Sequence, residues 1–268
     1  MLITSRFSDW SELADDVALD VLALEEAVAL LENRAGRSDV AGAKTLTEAV
    51  DRLPLALDHA AAYCKRTQMR FGDYANKASS LIDAAPRGAG YPRSVAATFN
   101  LAITEAIAQC QAAQALMAYF AHCAPERIPM TLVECAIEDE EERLRALATL
   151  AEVSLAKHDP FEDTTPAVTV HRLVQAAARA RSKANGSAQD AVVRLIARLV
   201  AIYPEAARSD PQSWPLCSQL SPHLLARRDA GFDAASEISY WSKLLDRASD
   251  YFYERGAYSQ AAPLFAMY

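Results

Sequence analysis

Apolar residues recur at the three- and four-residue spacing of amphipathic helices along most of the chain. The first such stripe consists of Val21, Leu24, Val28 and Leu31. Gly36 follows it at the position where a glycine commonly caps the C-terminus of a helix. The pattern therefore predicts a first helix that ends near Gly36.

Capping and proline signals divide the next part of the chain into further helices. Thr45–Glu48 has the form of a capping box, which predicts that a helix begins there. Pro54 interrupts that helix and can start the next one, since the first helical position needs no backbone N–H. Apolar residues from Phe71 to Ile82 predict another helix, and Pro86–Gly90 predicts a linker after this small helical bundle.

The pattern changes from helical to strand-like in the middle of the chain. Helical spacing predicts two helices within Ser94–His122, a short helix that opens at Ile128–Pro129, and a helix over Asp139–Leu150. The apolar residues of Val153–Leu155 and Val168–Val170, separated by a polar turn, predict a two-stranded hairpin. Three helices followed by a hairpin is the arrangement of a winged-helix domain.

Helical periodicity returns after the hairpin and continues to the end of the chain. It predicts helix from Arg172 to Tyr203, with a break at Asn185–Gly186. A long apolar stripe on a later helix consists of Ile238, Trp241, Leu245, Ala248 and Phe252. Gly256 then predicts a turn into a last helix that includes Ala261 and Phe265.

The first segment of the chain differs from the rest. Leu2–Arg6 contains β-branched residues and predicts a short strand. A strand satisfies its backbone hydrogen bonds only beside other strands, and no clear parallel sheet is predicted downstream. We therefore expect the chain to be a downstream part of a larger protein.

The composition of the 268 residues predicts a mainly α fold, because 51% are apolar and only 8 are glycine. The net charge of −8 disfavours a nucleic-acid partner. No apolar run approaches the ~20 residues of a membrane span, and no secretion signal is recognisable. The five cysteines are scattered without C-x-x-C pairing, which indicates buried free thiols and no metal site. We therefore predict a cytoplasmic protein without membrane contact.

The sequence lacks the motifs of a self-sufficient active site. It contains no G-x-x-x-x-G-K-[ST] loop that would cradle phosphates. It also contains no G-x-S-x-G elbow and no H-E-x-x-H metal motif. We therefore expect the chain not to be an enzyme on its own.

Three residues are candidates for contact with a nucleotide, and each has a plainer alternative. Arg6, at a strand end, can present its guanidinium to a phosphate, or it is an ordinary surface arginine. Pro54 can lie against a flat base, or it only initiates a helix. His171 can donate to a diphosphate at a helix start, or it is a capping or exposed histidine.

Three segments, in this order, resemble late motifs of the NB-ARC nucleotide-binding module of STAND-class signalling ATPases. They are Leu2–Arg6, Leu53–Leu57 and Val170–Gln175. The last of them is similar to the V-H-x-L-V-Q segment of the bacterial variety that leads into tetratricopeptide repeats. Gly256 and Tyr258 in the last ~30 residues are similarly placed to those of a first tetratricopeptide unit.

The resemblance implies a role for each candidate residue. Arg6 is similar to the sensor arginine that reads the terminal phosphate. Pro54 is similar to the proline that packs on adenine. His171 is similar to the histidine that holds the β-phosphate of ADP and keeps the switch off. Arg52 departs from the family pattern, since many relatives have glycine before Leu-Pro.

The resemblance also implies cofactors and partners. The cofactor of the full-length parent would be ADP or ATP. None is expected to bind tightly to this chain alone, because the phosphate-binding loop and the Walker B strand lie upstream in the family. The parent would be an ATPase with protein partners at its C-terminal repeats. A homo-oligomer of the activated parent is compatible with the resemblance.

The resemblance divides the chain into five predicted units. They are a remnant last strand of the ATPase sheet (1–10), the helical subdomain of the NB-ARC module (11–88), a winged-helix domain (89–183), a helical connector (184–235) and a first tetratricopeptide-like helix pair (236–268). The predicted function is to couple the nucleotide state of the parent to an array of tetratricopeptide repeats.

Two other functions are compatible with the same elements. A helical scaffold that binds proteins through repeats needs no nucleotide, although about three repeats are required for a stable array and one is present. A winged-helix DNA-binding regulator is disfavoured, because its groove-binding helix would begin with the acidic run Glu138–Glu142.

Overall fold

The computed structural model describes residues 21–84, 93–229 and 238–265. These residues are mainly helical and include a small antiparallel sheet, so the predicted mainly α fold class is confirmed. The predicted strand Leu2–Arg6 and the predicted linker Pro86–Gly90 lie outside the described residues. Among the described helices, none has the length and apolar character needed to cross a membrane.

Four helices form a first bundle. They are α1 (Leu24–Ala35), α2 (Val40–Ala49), α3 (Pro54–Thr67) and α4 (Phe71–Ala84). α1 packs on α3, and α2 packs on α4. Leu31, Leu46, Leu57 and Tyr74 are fully buried between them. α1 ends as predicted at Gly36, whose φ of 70° is a left-handed conformation that suits glycine.

The predicted start of α2 was wrong. The helix begins at Val40, and Thr45–Glu48 lies inside it. Asp39 is the actual N-cap, because its Oδ1 accepts a hydrogen bond from Gly42 N at 3.0 Å. The prediction of Pro54 as the first residue of the next helix is confirmed.

The second part of the chain combines helices with three short strands. Its elements are α5 (Arg93–Gln109), α6 (Ala113–Phe120), β1 (Ile128–Pro129), α7 (Met130–Val133), α8 (Glu140–Glu152), β2 (Lys157–His158) and β3 (Ala167–Thr169). The strand order is β1-β3-β2, and both pairs are antiparallel. α5 packs on α3 and α4 of the first bundle and also on α6 and α8.

Two predictions in this part are corrected. Ile128–Pro129 forms a strand that pairs with Val168 and Ala167, and the short helix begins only at Met130. Val153–Leu155 does not form a strand, because Leu155 N bonds back to Leu150 O at 2.9 Å and closes the end of α8. The two apolar side chains there are buried, which explains the misleading strand-like signal. The hairpin itself exists, between β2 and β3.

The remaining helices follow the predicted order. They are α9 (Arg172–Ala184), α10 (Ala188–Ile202), α11 (Trp214–Asp229), α12 (Ile238–Glu254) and α13 (Tyr258–Phe265). The break at Asn185–Gly186 and the turn at Gly256 are confirmed. One continuous apolar core runs from α1 to α13. Four of the five cysteines are buried free thiols, and Cys135 is half-buried.

Candidate functional site

Pro54 stands at the exposed start of α3, after a tight turn. Leu53 is extended at φ −74° and ψ 120°, and Pro54 occupies the first helical position. Asp51 and Arg52 before it have φ values of 55° and 53°. Arg52 N bonds to Thr47 O at 2.9 Å, which fixes the turn between α2 and α3. This hydrogen bond holds the turn before α3 in place, and Pro54 is exposed at the start of the helix.

His171 stands at the exposed start of α9. It follows β3 and caps α9, because its Nδ1 accepts a hydrogen bond from Leu173 N at 3.2 Å. Acceptance at Nδ1 requires that the neutral ring carry its proton on Nε2, which is then a donor. Partial burial, and next to it the charge of Arg172, lower the pKa of His171. At neutral pH the residue is thus an uncharged donor at a helix N-terminus.

His59 lies on α3, about one turn and a half after Pro54. It follows Pro54 by five residues, which is about 7.5 Å along the axis of α3. Its side chain is 2% exposed, and its ring meets Phe99 of α5 edge to face with 4.8 Å between centroids. The pKa of His59 is lowered to about 4, chiefly by burial, and a charge on His171 contributes in the same direction. The imidazoles of His59 and His171 are therefore within electrostatic range of each other.

Polar contacts join the first bundle to the end of α8 in the same region. Arg34 pairs with Asp58 at 2.7 Å and also donates to Ser154 Oγ at 2.9 Å. Arg66 forms an ion pair with Glu152. The backbone of Val153 is within hydrogen-bonding range of the His59 ring. We call the residues of this region the bundle–α8 contact: Arg34, His59, Arg66, Glu152, Val153 and Ser154.

The structure describes two of the three predicted site residues, Pro54 and His171. Arg6 lies outside the described residues. Pro54 and His171 both start helices and are both exposed, and His59 connects their surroundings. The structure gives no direct contact between Pro54 and His171. The link between the two helix starts is His59, which lies on α3 and feels the charge of His171.

Sequence reasoning missed His59 and Arg34. A signal for His59 was present, because it precedes the run Ala60–Cys64, in which every residue is apolar and buried. A histidine on a wholly apolar helix face is commonly a buried neutral ring. The role of Arg34 had no local signal, since Ser154 is 120 residues away along the chain.

A cavity of about 250 Å³ lies elsewhere, between α6 and the start of α10. Gln111, Tyr119, Ser187 and Arg194 are among the residues that line it. It includes none of the predicted site residues. Within the described residues, no three His, Cys, Asp or Glu side chains are grouped closely enough to hold a metal ion.

Comparison with models of known protein families and with curated proteins finds no match. The nucleotide roles of Pro54 and His171 therefore remain predictions from the resemblance.

Proposed function

We propose that this chain is the regulatory part of a nucleotide-controlled signalling ATPase of the NB-ARC type. The first bundle and a winged-helix unit, formed by α5–α9 and the three strands, close over ADP in the resting state. Nucleotide exchange moves them apart, and the movement passes through α10 and α11 to a helix pair that begins a repeat array. The supporting observation is that Pro54 and His171 both lie at exposed helix starts, and that His59 of α3 is within electrostatic range of His171.

Each residue has chemistry that suits its proposed role. The Pro54 ring is rigid, apolar and exposed, so it offers a flat surface to adenine without a competing N–H donor. His171 offers Nε2–H to a phosphate oxygen, and the N-terminus of α9 adds its positive dipole end. Because the pKa of His171 is lowered, the residue recognises the phosphate as a hydrogen-bond donor and not as a fixed charge.

The proposal limits what the chain can do alone. It supplies an adenine surface and one phosphate donor, while the phosphate-binding loop and the Mg²⁺ ligands belong to the upstream part of the family module. We therefore expect weak ADP binding and no ATP hydrolysis by the isolated chain. Tight ADP binding in a calorimeter, or steady release of phosphate, would contradict this.

The decisive test measures ADP affinity of the chain joined to the upstream ATPase half, about 150–200 residues of domain size. His171→Ala should weaken ADP binding about tenfold, since it removes one hydrogen bond to a charged oxygen. His158→Ala is the matched control, because His158 is an exposed histidine of the same unit. It should leave the affinity unchanged.

A second pair of variants tests the adenine surface. Pro54→Ala should weaken ADP binding several-fold and affect adenine and guanine nucleotides differently. Pro166→Ala is its control, because Pro166 is also exposed and lies before β3. If neither His171→Ala nor Pro54→Ala changes the affinity or the exchange rate of ADP, both assignments are wrong.

A protein-interaction scaffold without nucleotide is the second candidate. Its support is the helix pair α12–α13, which packs tightly around the turn at Gly256. The same experiment separates the two candidates. Failure of the joined protein to bind ADP at millimolar concentration would favour the scaffold.

A further inference from the structure

His59 is a buried titratable group that the proposed nucleotide site does not use. It is 2% exposed and lies in the bundle–α8 contact. The ring of Phe99 in α5 packs against it edge to face, and the backbone of Val153 is within hydrogen-bonding range of it. No described residue forms a hydrogen bond with its Nδ1. The ring is therefore packed as a neutral group, in surroundings that would solvate a charge poorly.

The charged groups around His59 do not compensate for a proton on the ring. Asp58, its neighbour on α3, is the one carboxylate with an effect on it, and Asp58 is already paired with Arg34 of α1. His171 at the start of α9 and Arg34 of α1 both disfavour a proton on the ring. α5 supplies Phe99, and the end of α8 supplies a backbone group. A charged His59 would thus face two basic groups and one occupied carboxylate.

We propose that His59 makes the bundle–α8 contact sensitive to pH. The contact is closed while the imidazole is neutral, and it opens when the ring takes up a proton. Opening exposes the ring to water and removes Ser154 from Arg34 and Glu152 from Arg66. The proposal does not depend on nucleotide binding, because every residue in it belongs to the described chain.

The direction and size of the effect follow from the two states. In the closed state the pKa of His59 is lowered to about 4 by burial, whereas an exposed histidine has its ordinary value near 6.5. The closed state is therefore favoured fully above pH 6.5, and it loses its advantage as the pH falls towards 4. Between pH 7 and pH 5.5, the ratio of closed to open molecules should fall on the order of tenfold.

The experiment is a distance measurement by electron spin resonance on the whole chain. Spin labels are placed on cysteines that replace Glu48 in α2 and Glu162 in the turn between β2 and β3, both exposed. Cys135, which is half-buried, is changed to serine in every variant so that it does not react. We expect one narrow distance at pH 7.5 and a second, longer and broader one that grows in as the pH falls to 5.5. Circular dichroism at both pH values should show intact helices.

Two variants decide whether His59 is responsible. His59→Gln keeps a polar side chain of similar size that cannot be protonated, so the second distance should not appear at pH 5.5. His223→Gln is the matched control, because His223 is fully buried with a similarly lowered pKa of about 4 but lies in α11. It should respond to pH like the wild type. A second distance in His59→Gln that grows with acid as in the wild type would overturn the proposal.

A measurement on the unsubstituted protein keeps the proposal testable if His59→Gln does not fold. Exchange of the imidazole C2 hydrogen, followed by mass spectrometry, reports the protonation of each histidine separately. Protonation of His59 should coincide with the appearance of the longer distance in the labelled chain. If His59 is protonated while the distance stays short, the proposal is wrong.

Discussion

Arg52 adopts a left-handed backbone conformation, with φ of 53°, immediately before the turn into α3. Asp51 beside it has φ of 55°. Aspartate tolerates this region better than most residues, but an arginine there costs about 1–2 kcal/mol. A glycine at this position would carry no such cost. The turn therefore keeps a glycine-like conformation even though the residue is an arginine.

We expect Arg52→Gly to raise the free energy of unfolding by about 0.5–1 kcal/mol, because the relief of strain exceeds the extra entropy of glycine in the unfolded chain. Lys44→Gly, at an exposed position inside α2, is the control and should lower it by about 1 kcal/mol. Urea unfolding at pH 7 measures both. If both variants lose the same amount of unfolding free energy, the backbone of Arg52 is not strained.

His59 shows how far a residue's chemistry can be predicted from its neighbours in the sequence. The apolar run after it indicates burial, and burial lowers a histidine pKa. The partners that make it part of a contact are Phe99, Val153 and His171, which come from three other elements. No local pattern predicts such partners, because they depend on how the helices pack.

At the scale of elements, helix existence was predicted better than helix ends. The apolar stripes located α1, α4, α9, α10 and α12 because burial of one helix face imposes its period on the sequence. The start of α2 was predicted at the wrong residue, because both Asp39 and Thr45 can cap a helix. Only the side chain of Asp39 accepts a hydrogen bond from the backbone there, from Gly42 N. β1 was missed because a strand of two residues is too short to show an alternation of apolar and polar positions. Its pairing with β3 is what defines it as a strand.

Gln175 of α9 closes the C-terminal end of α6. It is buried, and its amide donates to Phe120 O at 2.8 Å and to Cys123 O at 3.2 Å. Arg179, one turn later, donates to Ala121 O at 2.6 Å. These bonds satisfy carbonyls that the end of a helix leaves without partners. Gln175 in the V-H-R-L-V-Q segment therefore has a structural role that needs no nucleotide.

We expect Gln175→Leu to lower the free energy of unfolding by about 1–3 kcal/mol, because two buried carbonyls lose their donor while the side-chain volume is nearly kept. Thermal unfolding followed by circular dichroism measures the change. Gln212→Leu, at an exposed position before α11, is the control and should change stability by less than about 0.5 kcal/mol. A Gln175→Leu protein as stable as the wild type would show that water replaces the amide.

At the scale of the whole molecule, the three histidines with the most strongly lowered pKa values contribute to its response to acid. His59, His122 and His223 each have a pKa that is lowered to about 4, in every case chiefly by burial. The unfolded chain binds protons at these groups near pH 6.5, which the folded chain does not. Stability that is fully present above pH 6.5 is therefore lost as the pH falls towards 4.

We expect the free energy of unfolding to fall steeply between pH 7 and pH 5, with His59 and His223 each contributing on the order of 2 kcal/mol. Urea unfolding across this range measures the slope. His223→Gln should make the free energy of unfolding depend less steeply on pH, by the contribution of one histidine. His158→Gln, at an exposed position, should leave the pH dependence unchanged. A slope that is the same in all three proteins would place the acid sensitivity elsewhere.

The separation of Arg34 and Ser154 by 120 residues has a consequence for how the chain folds. The helix pairs of the first bundle are close in sequence, so they can form while the residues beyond them are still unstructured. The bundle–α8 contact must close a long loop and should form late. Interactions that form after the rate-limiting step slow unfolding without speeding folding. The contact should therefore determine how long the native state persists more than how quickly it is reached.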